Sequence, residues 1–320
     1  MNKTQKLVQS IEESMGATFS IFTRGIIGRF AYGISKLACR TKDKSMKSLV
    51  EWVDDQSRKT GVSSSQLYLC QYLYDIAQFS AAMSNDYIPS ACTVAASKGM
   101  FLRYMDWSIP DDIGKYAYIE KKSSDGIAYK DVSFPGFFGC LTAVGNNWAM
   151  AMNQMPSWLV DIHGIPTTIF SKEITLQMAK RIEQGVEITT AASQAKNYMK
   201  ENNLLPISSV AVFFYSAYQD TNVVIQYHPS SSGGEWSTDF GVKALANQFV
   251  KGSTFRKKHR LKRDTNSQER IDQAANIIGT AKDYEDLIAI ATNSEYPCNN
   301  SATAYIVAAD INNKQITLIS

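Results

Sequence analysis

Ser90-Ala91-Cys92-Thr93-Val94-Ala95-Ala96, then Lys98-Gly99, then Phe101-Leu102-Arg103-Tyr104-Met105-Asp106-Trp107, is the stretch on which the fold turns. The first run is small and β-compatible and reads as a strand. Lys98-Gly99 reads as a hairpin turn and the second run as the returning strand. That pairing predicts that Arg103 and Asp106 come back beside Cys92, so a thiol, a guanidinium and a carboxylate converge from 15 residues.

The chemistry of this trio depends on whether Cys92 stays inside the chain. If the Ala91-Cys92 bond is cut, the freed α-amine has a reference pKa of about 7.7 to 8.0, low enough to take the thiol proton near neutrality. One residue then supplies nucleophile and base. Asp106 would hold the ammonium or orient the thiol, and Arg103 would favour thiolate through its permanent charge. The competing reading makes Cys92 a small buried hydrophobe in a strand, with Arg103 and Asp106 as a surface pair.

Cys92-Thr93 together with Arg103-Tyr104-Met105-Asp106-Trp107 resembles the start of the N-terminal-nucleophile (Ntn) hydrolases of the choloylglycine hydrolase, acid ceramidase and acyl-coenzyme A:6-aminopenicillanic acid acyltransferase group. Mature members of that group begin Cys-Thr and carry Arg-Asn-x-Asp-Phe/Trp after a hairpin. Tyr104 stands where they usually have Asn, and the hairpin is several residues shorter than in bile-salt hydrolases. The resemblance implies a four-layer αββα sandwich of two antiparallel sheets. It also implies cysteine chemistry on linear amide bonds and release of the nucleophile by autoproteolysis between Ala91 and Cys92.

The resemblance continues downstream. Asn146-Asn147-Trp148-Ala149-Met150-Ala151-Met152-Asn153-Gln154 is similar to a family strand whose last Asn donates to the oxyanion, which implies that role for Asn153. An amide NH₂ suits it because it stabilises developing charge without ionising. Leu245-Ala246-Asn247-Gln248-Phe249 resembles the family's Thr-Asn-His-Phe and implies Asn247 as a second active-site amide, although both neighbours of Asn247 differ. Ser267-Gln268-Glu269-Arg270 resembles a Ser-x-x-Arg helix start, with Ser267 as cap and Arg270 projecting toward the nucleophile as a fixed cation. Competing structural readings give Asn153 to a strand end before Pro156 and Arg270 to a solvated helix face.

The chain divides at Cys92. Residues 1–91 read as a helical propeptide or α-subunit-like segment, with apolar positions at Leu49, Trp52 and Val53 and a break at Thr60-Gly61-Val62-Ser63-Ser64-Ser65. Asn85-Asp86-Tyr87-Ile88-Pro89 would present the scissile bond, with Pro89 disfavouring helix there. Residues 92–320 read as the catalytic domain, strand-rich over 134–144, 148–153, 210–215, 222–227 and 303–309, with helices over 171–184 and 187–201. Strands, a helical pair and strands again give the α+β class.

Composition bounds the partners. A 44% hydrophobic and 20% charged chain is an ordinary globular one, and a net charge of +3 argues against nucleic acid. Five cysteines without a CxxC pair favour reduced thiols over a disulfide framework. His163, His228 and His259 are too far apart for zinc spacing, and the mechanism needs no cofactor. Residues 1–16 are too polar for a secretory signal, which points to a cytoplasmic protein while leaving non-classical export open.

Residues 17–38 place Phe19, Phe22, Ile26, Phe30, Ile34 and Leu37 on one helical face. Arg24, Arg29 and Lys36 argue against a membrane span, so the face either packs on its own domain or lies on a membrane surface. The basic run from Arg256 to Arg263 reads as a solvated loop or an anion-binding patch. Trp107, Phe137, Phe138, Trp148, Met152, Met155 and Trp158 suit an apolar acyl group, so an N-acyl amide is the expected substrate class. Three other functions fit parts of the pattern: an acyltransferase on the same fold, an internal-cysteine hydrolase pairing Cys92 with His163 or His228, and a noncatalytic effector-like protein that binds membrane through residues 17–38.

Overall fold

The computed structural model describes residues 1–24, 33, 44–73, 75, 92–107, 113–155, 161, 164–230, 234–248, 250, 267–293, 298–299 and 303–320. The tether at 85–89, Ala91, the basic run and most of 17–38 lie outside the described residues. The chain is α+β, with two antiparallel sheets and seven helices among the described residues.

The hairpin forms as its turn residues dictate. Strand β1 (Cys92–Ser97) and β2 (Met100–Asp106) pair from Cys92↔Met105 to Ser97↔Met100. Lys98 and Gly99 both adopt positive φ, at 52° and 80°, the two-residue turn that matches strand twist. The tip is anchored across the molecule. Lys98 N–H donates to Asp220 Oδ1 at 2.7 Å and Gly99 N–H to the Tyr215 hydroxyl at 2.6 Å.

Around this hairpin a five-stranded sheet assembles in the order β10-β1-β2-β11-β12, with β10 at Ala244–Leu245, β11 at Thr303–Asp310 and β12 at Gln315–Ile319. The second sheet runs β3 to β9 in chain order. Its strands are β3 (Tyr118–Ser124), β4 (Ile127–Ser133), β5 (Thr142–Val144), β6 (Trp148–Gln154), β7 (Val210–Ser216), β8 (Thr221–His228) and β9 (Glu235–Phe240).

The expected strand over 134–144 is confined to β5. Pro135-Gly136 turns the chain first, with Gly136 at a φ of 88°. Strand β3 carries mostly polar side chains at its exposed and half-buried positions, whereas β9 and β12 are short edge strands outside the expected strand runs.

Strand alternation sorts side chains between the two faces of each sheet. In β6, Asn153 reaches the five-stranded sheet, donating to Cys92 O and Leu245 O. Trp148, of opposite parity, turns away and donates its indole N–H at 2.9 Å to Glu183 at the end of α4 (Thr167–Glu183). The sheets therefore face each other, with α4 and α5 (Ile188–Glu201) outside the seven-stranded one. Helices α6 (Ser267–Thr280) and α7 (Tyr284–Ala291) pack Ala274, Ile277, Ile278 and Leu287 on the other sheet's outer face, against Ala95, Leu102 and Tyr104.

The segment before Cys92, called the leader for its position only, is docked through α1 (Lys3–Arg24), α2 (Lys44–Thr60) and α3 (Ser64–Cys70). Leu7, Ile11, Leu49, Val53 and Leu67 join the same apolar core as the sheets. Buried Gln71 stitches the segments: its amide donates to Gly136 O at 2.7 Å and accepts from Phe138 N–H at 2.8 Å. Helix α4 begins after Pro166 with no side-chain cap of its own, and Asp75 supplies one, accepting from Thr167 N–H at 3.1 Å and from the hydroxyls of Thr167 and Ser208.

Burial outweighs these hydrogen bonds and pushes the Asp75 carboxyl up to about 6. Because the folded-state value lies above the ordinary 3.8, the stability associated with the protonated form is complete below pH 3.8 and is lost as pH rises through about 6. Urea unfolding of wild type and Asp75→Asn between these limits should show wild type losing on the order of 3 kcal/mol relative to the variant. Parallel curves would dismiss Asp75 as the titrating group.

Candidate functional site

Cys92 opens β1 and is fully buried, with its side chain on the inner face of the five-stranded sheet beside those of Val94 and Ala96. Arg103 and Met105 of β2 share that face. The guanidinium donates to Leu141 O at 2.8 Å and to Met152 O at 2.7 Å, both on the opposing sheet side. Its Nη2 also lies 3.4 Å from Cys92 Sγ and 3.1 Å from Met105 Sδ, and the thiol contacts Met105 Sδ at 3.3 Å. A permanent cation is thereby fixed against the sulfur, where it stabilises negative charge developing there.

Two buried amides complete the inner cluster. Asn153 Nδ2 lies 3.3 Å from both Cys92 O and Leu245 O. Asn247, two residues beyond β10, donates through Nδ2 to Gln154 O at 2.8 Å. The Oδ1 of each has no hydrogen-bond partner among the described residues. Both NH₂ groups are thus directed at backbone carbonyls around the start of β1.

Asp106 takes a different place from the one expected. Cys92 is opposite Met105, so Asp106 falls on the sheet's outer face under α6. There Thr303 Oγ1 donates to Asp106 Oδ1 at 2.8 Å, and Arg270 Nη1 lies 3.7 Å from Asp106 Oδ2. Arg270 also donates to Thr93 Oγ1 at 2.9 Å. It is buried, which rules out the solvated helix face, but it reaches Thr93, next to Cys92, and not the thiol. Ser267 lies within the first turn of α6 and accepts from Arg270 Nη2 at 3.3 Å. The six residues accordingly form two groups on either side of β1: Cys92, Arg103, Asn153 and Asn247 inside, Asp106 and Arg270 outside.

No family model and no curated protein matches the chain. Its chemistry has to be argued from the residues themselves.

Met105, Thr93 and Thr303 are additional contacts of this site. Period-two counting along β2 puts Met105 in phase with Arg103, whereas Thr303 joins only through the distant pairing Thr303↔Asp106. Tyr305 stands near the inner group, its hydroxyl 3.3 Å from Thr142 Oγ1 and pushed up to about 12 by burial, against the lowering effect of Arg103. Trp107 packs edge-on against Phe134 and Phe137, with ring centroids 5.6 and 5.9 Å apart. Trp148, expected near the acyl group, instead stacks on Phe214 beneath α4, and Trp158 lies outside the described residues.

Among the described residues no group of three or more His, Cys, Asp or Glu could hold a metal ion. His228 engages Ser209 Oγ through Nδ1 at 2.6 Å, while His163 and His259 lie outside the described residues. No helix among the described residues is long and apolar enough to cross a membrane.

The guanidinium's two carbonyl partners diverge in a way that a single ammonium cannot reproduce. Arg103→Lys should therefore destabilise the protein by about 1–3 kcal/mol in urea unfolding. An unchanged midpoint would remove Arg103 as the tie between the sheets.

Proposed function

We propose that this chain is a cysteine hydrolase of linear amide bonds, of the Ntn type, made as a precursor that cuts itself between Ala91 and Cys92. The observation that carries the reading is the position of Cys92. It is the first residue of a central strand, has a buried guanidinium against its sulfur, and has an asparagine amide directed at its own carbonyl. The helical layers outside two facing antiparallel sheets support the same reading, since the family resemblance implies a four-layer αββα sandwich.

In this mechanism the Cys92 thiolate attacks the carbonyl of an N-acyl amide with an apolar acyl group. The thiol proton passes to the free α-amine of Cys92 and from there to the departing amine. Asn153 and Asn247 donate to the tetrahedral oxyanion once their NH₂ groups turn from the backbone carbonyls they now serve. Water then resolves the thioester, with the same α-amine as base. Arg103 holds negative charge at sulfur through both half-reactions. Asp106, fixed by Thr303 and Arg270, acts from the outer face as a positioning carboxylate for the new N-terminus. In cleavage of the precursor the same thiol attacks the Ala91 carbonyl, the Ala91–Cys92 amide bond breaks with the thiol proton passing to the departing nitrogen, and water hydrolyses the resulting thioester to release the Ala91 carboxylate and restore the thiol.

Burial of Cys92 fits a precursor whose nucleophile is shielded before cleavage. Intact-mass analysis of purified protein incubated at acidic and neutral pH should reveal a fragment beginning at Cys92, and Cys92→Ala should yield only the full-length chain with no amidase activity. A wild-type chain that never cleaves, with amidase activity equal to that of Cys92→Ala, would overturn the proposal. On protein already processed, Asn153→Ala should lower kcat about 100-fold or more with a smaller change in KM, the signature of a lost oxyanion donor. A change confined to KM would assign Asn153 to substrate binding alone.

A further inference from the structure

A cavity of about 520 Å³ lies between the leader and the edge of the seven-stranded sheet, within the roughly 300–1,000 Å³ range of small-molecule sites. Helices α1 and α2 supply one side, and strands β3 and β4, the 135–138 turn and the first turns of α4 supply the other. Its apolar wall is aromatic: Trp52 and Phe138 pack with ring centroids 5.4 Å apart, and Phe137 continues the surface.

The cations in this cavity are of two kinds. Lys122 is committed, bonded to the buried carboxylate of Asp131 and 3.4 Å from Glu120 Oε2. Lys172 is half-buried with its ammonium 3.5 Å from the centroid of the Phe138 ring, and among the described residues it has neither a hydrogen-bond acceptor nor an ion-pair partner. Lys3 stands at the rim; with Glu173 beside Lys172, three carboxylates match the three lysines in number, and Glu120 and Asp131 are both engaged by Lys122. A desolvated ammonium beside an aromatic surface, with the neighbouring carboxylates of Glu120 and Asp131 engaged by Lys122, fits a single negative charge attached to an apolar body.

We propose that this cavity binds a monocarboxylate with an apolar body, its carboxylate on the Lys172 ammonium and its body along Trp52, Phe137 and Phe138. Lys172 offers one ammonium at the aromatic wall, so the second charge of a dianionic head would be buried without a partner. Because leader and core each supply a wall, the ligand bridges them and stabilises their docking. The inference stands apart from the proposed amide chemistry, since neither Cys92 nor any residue of its inner group lines the cavity.

The test is calorimetric titration of the full-length protein with decanoate, with decan-1-ol as the uncharged control and decyl phosphate as the dianionic one. Decanoate is expected to bind at one site at least about tenfold more tightly than the alcohol, the amount expected for one charge-assisted contact. Decyl phosphate is expected to bind more weakly than decanoate. Lys172→Met should reduce decanoate to the alcohol's affinity without changing alcohol binding, and Lys172→Arg should restore most of the difference.

A pH series on the unaltered protein decides the matter even if these variants do not fold. Burial lowers the Lys172 ammonium to about 8, so decanoate affinity should fall as pH rises through that value while alcohol binding stays flat. The charged and titratable groups around it are Glu173 on its own helix, Lys122, Glu120 and Tyr118 on β3, Asp131 and Tyr129 on β4, Cys140 after the turn and Lys3 on α1; burial raises both tyrosines, which stay neutral across the window. Burial raises Cys140, so it stays a neutral thiol across the window. Failure of decanoate to bind at about 1 mM, equal affinity for the alcohol, tighter binding of decyl phosphate, an unaffected Lys172→Met or a pH-flat decanoate affinity would each overturn the proposal.

Discussion

Arg103 is the residue on which the arrangement depends. A guanidinium cannot be left in an apolar layer without acceptors, and here it finds them in the carbonyls of Leu141 and Met152 while its own strand belongs to the other sheet. Satisfying it requires the sheets to meet at that height and in that register. Other cross-sheet bonds use the same device of side chain to backbone: Asn153 to Cys92 O and Leu245 O, and Asn222 to Ala96 O. The inter-sheet layer is therefore apolar in bulk but pinned by polar groups next to the thiol, so the contacts that define the fold also shape the candidate site.

The same economy governs the leader. Its helices contribute Leu7, Ile11, Leu49 and Leu67 to the common core, while Gln71 and Asp75 satisfy backbone groups that belong to the rest of the chain. Gln71 completes the 136–138 turn and Asp75 caps α4. Removing the leader would uncover these donors and acceptors together with the apolar face above them. If the chain is cut before Cys92 as proposed, that cost favours retention of the leader.

The hairpin at Lys98-Gly99, the helices over 167–201 and the central strands β6, β7, β8 and β11 were legible because each carries a local signature: positive-φ turn chemistry, helical periodicity, or a run of β-branched and aromatic residues. The helix pair lies within a few residues of its expected bounds. Edge strand β3 was not legible because its energy comes from pairing while most of its side chains are polar, and β12, though it carries Ile316, Leu318 and Ile319, is a five-residue strand defined by its pairing with β11. The 134–144 run misled for the opposite reason. Its apolar residues are buried in a turn whose Phe138 N–H and Gly136 C=O bond to Gln71 and whose Cys140 N–H bonds to Thr168, so burial occurs there without a ladder.

For the site, the linear chain determined which groups lie near Cys92 along the hairpin and, through period-two alternation, that Arg103 and Asp106 take opposite faces. That second consequence was available from the spacing, because a one-residue change of parity reverses a strand side chain. Tertiary structure alone decided that Asn153 and Asn247 close around the start of β1, that Thr303 and Arg270 fix Asp106 from behind, and that leader and sheet edge enclose a cavity around Lys172. Local sequence governs turns, periodicity and parity through short-range sterics. Which distant carbonyl meets which side chain is settled only when the buried donors and acceptors of several elements compete for partners in the packed interior.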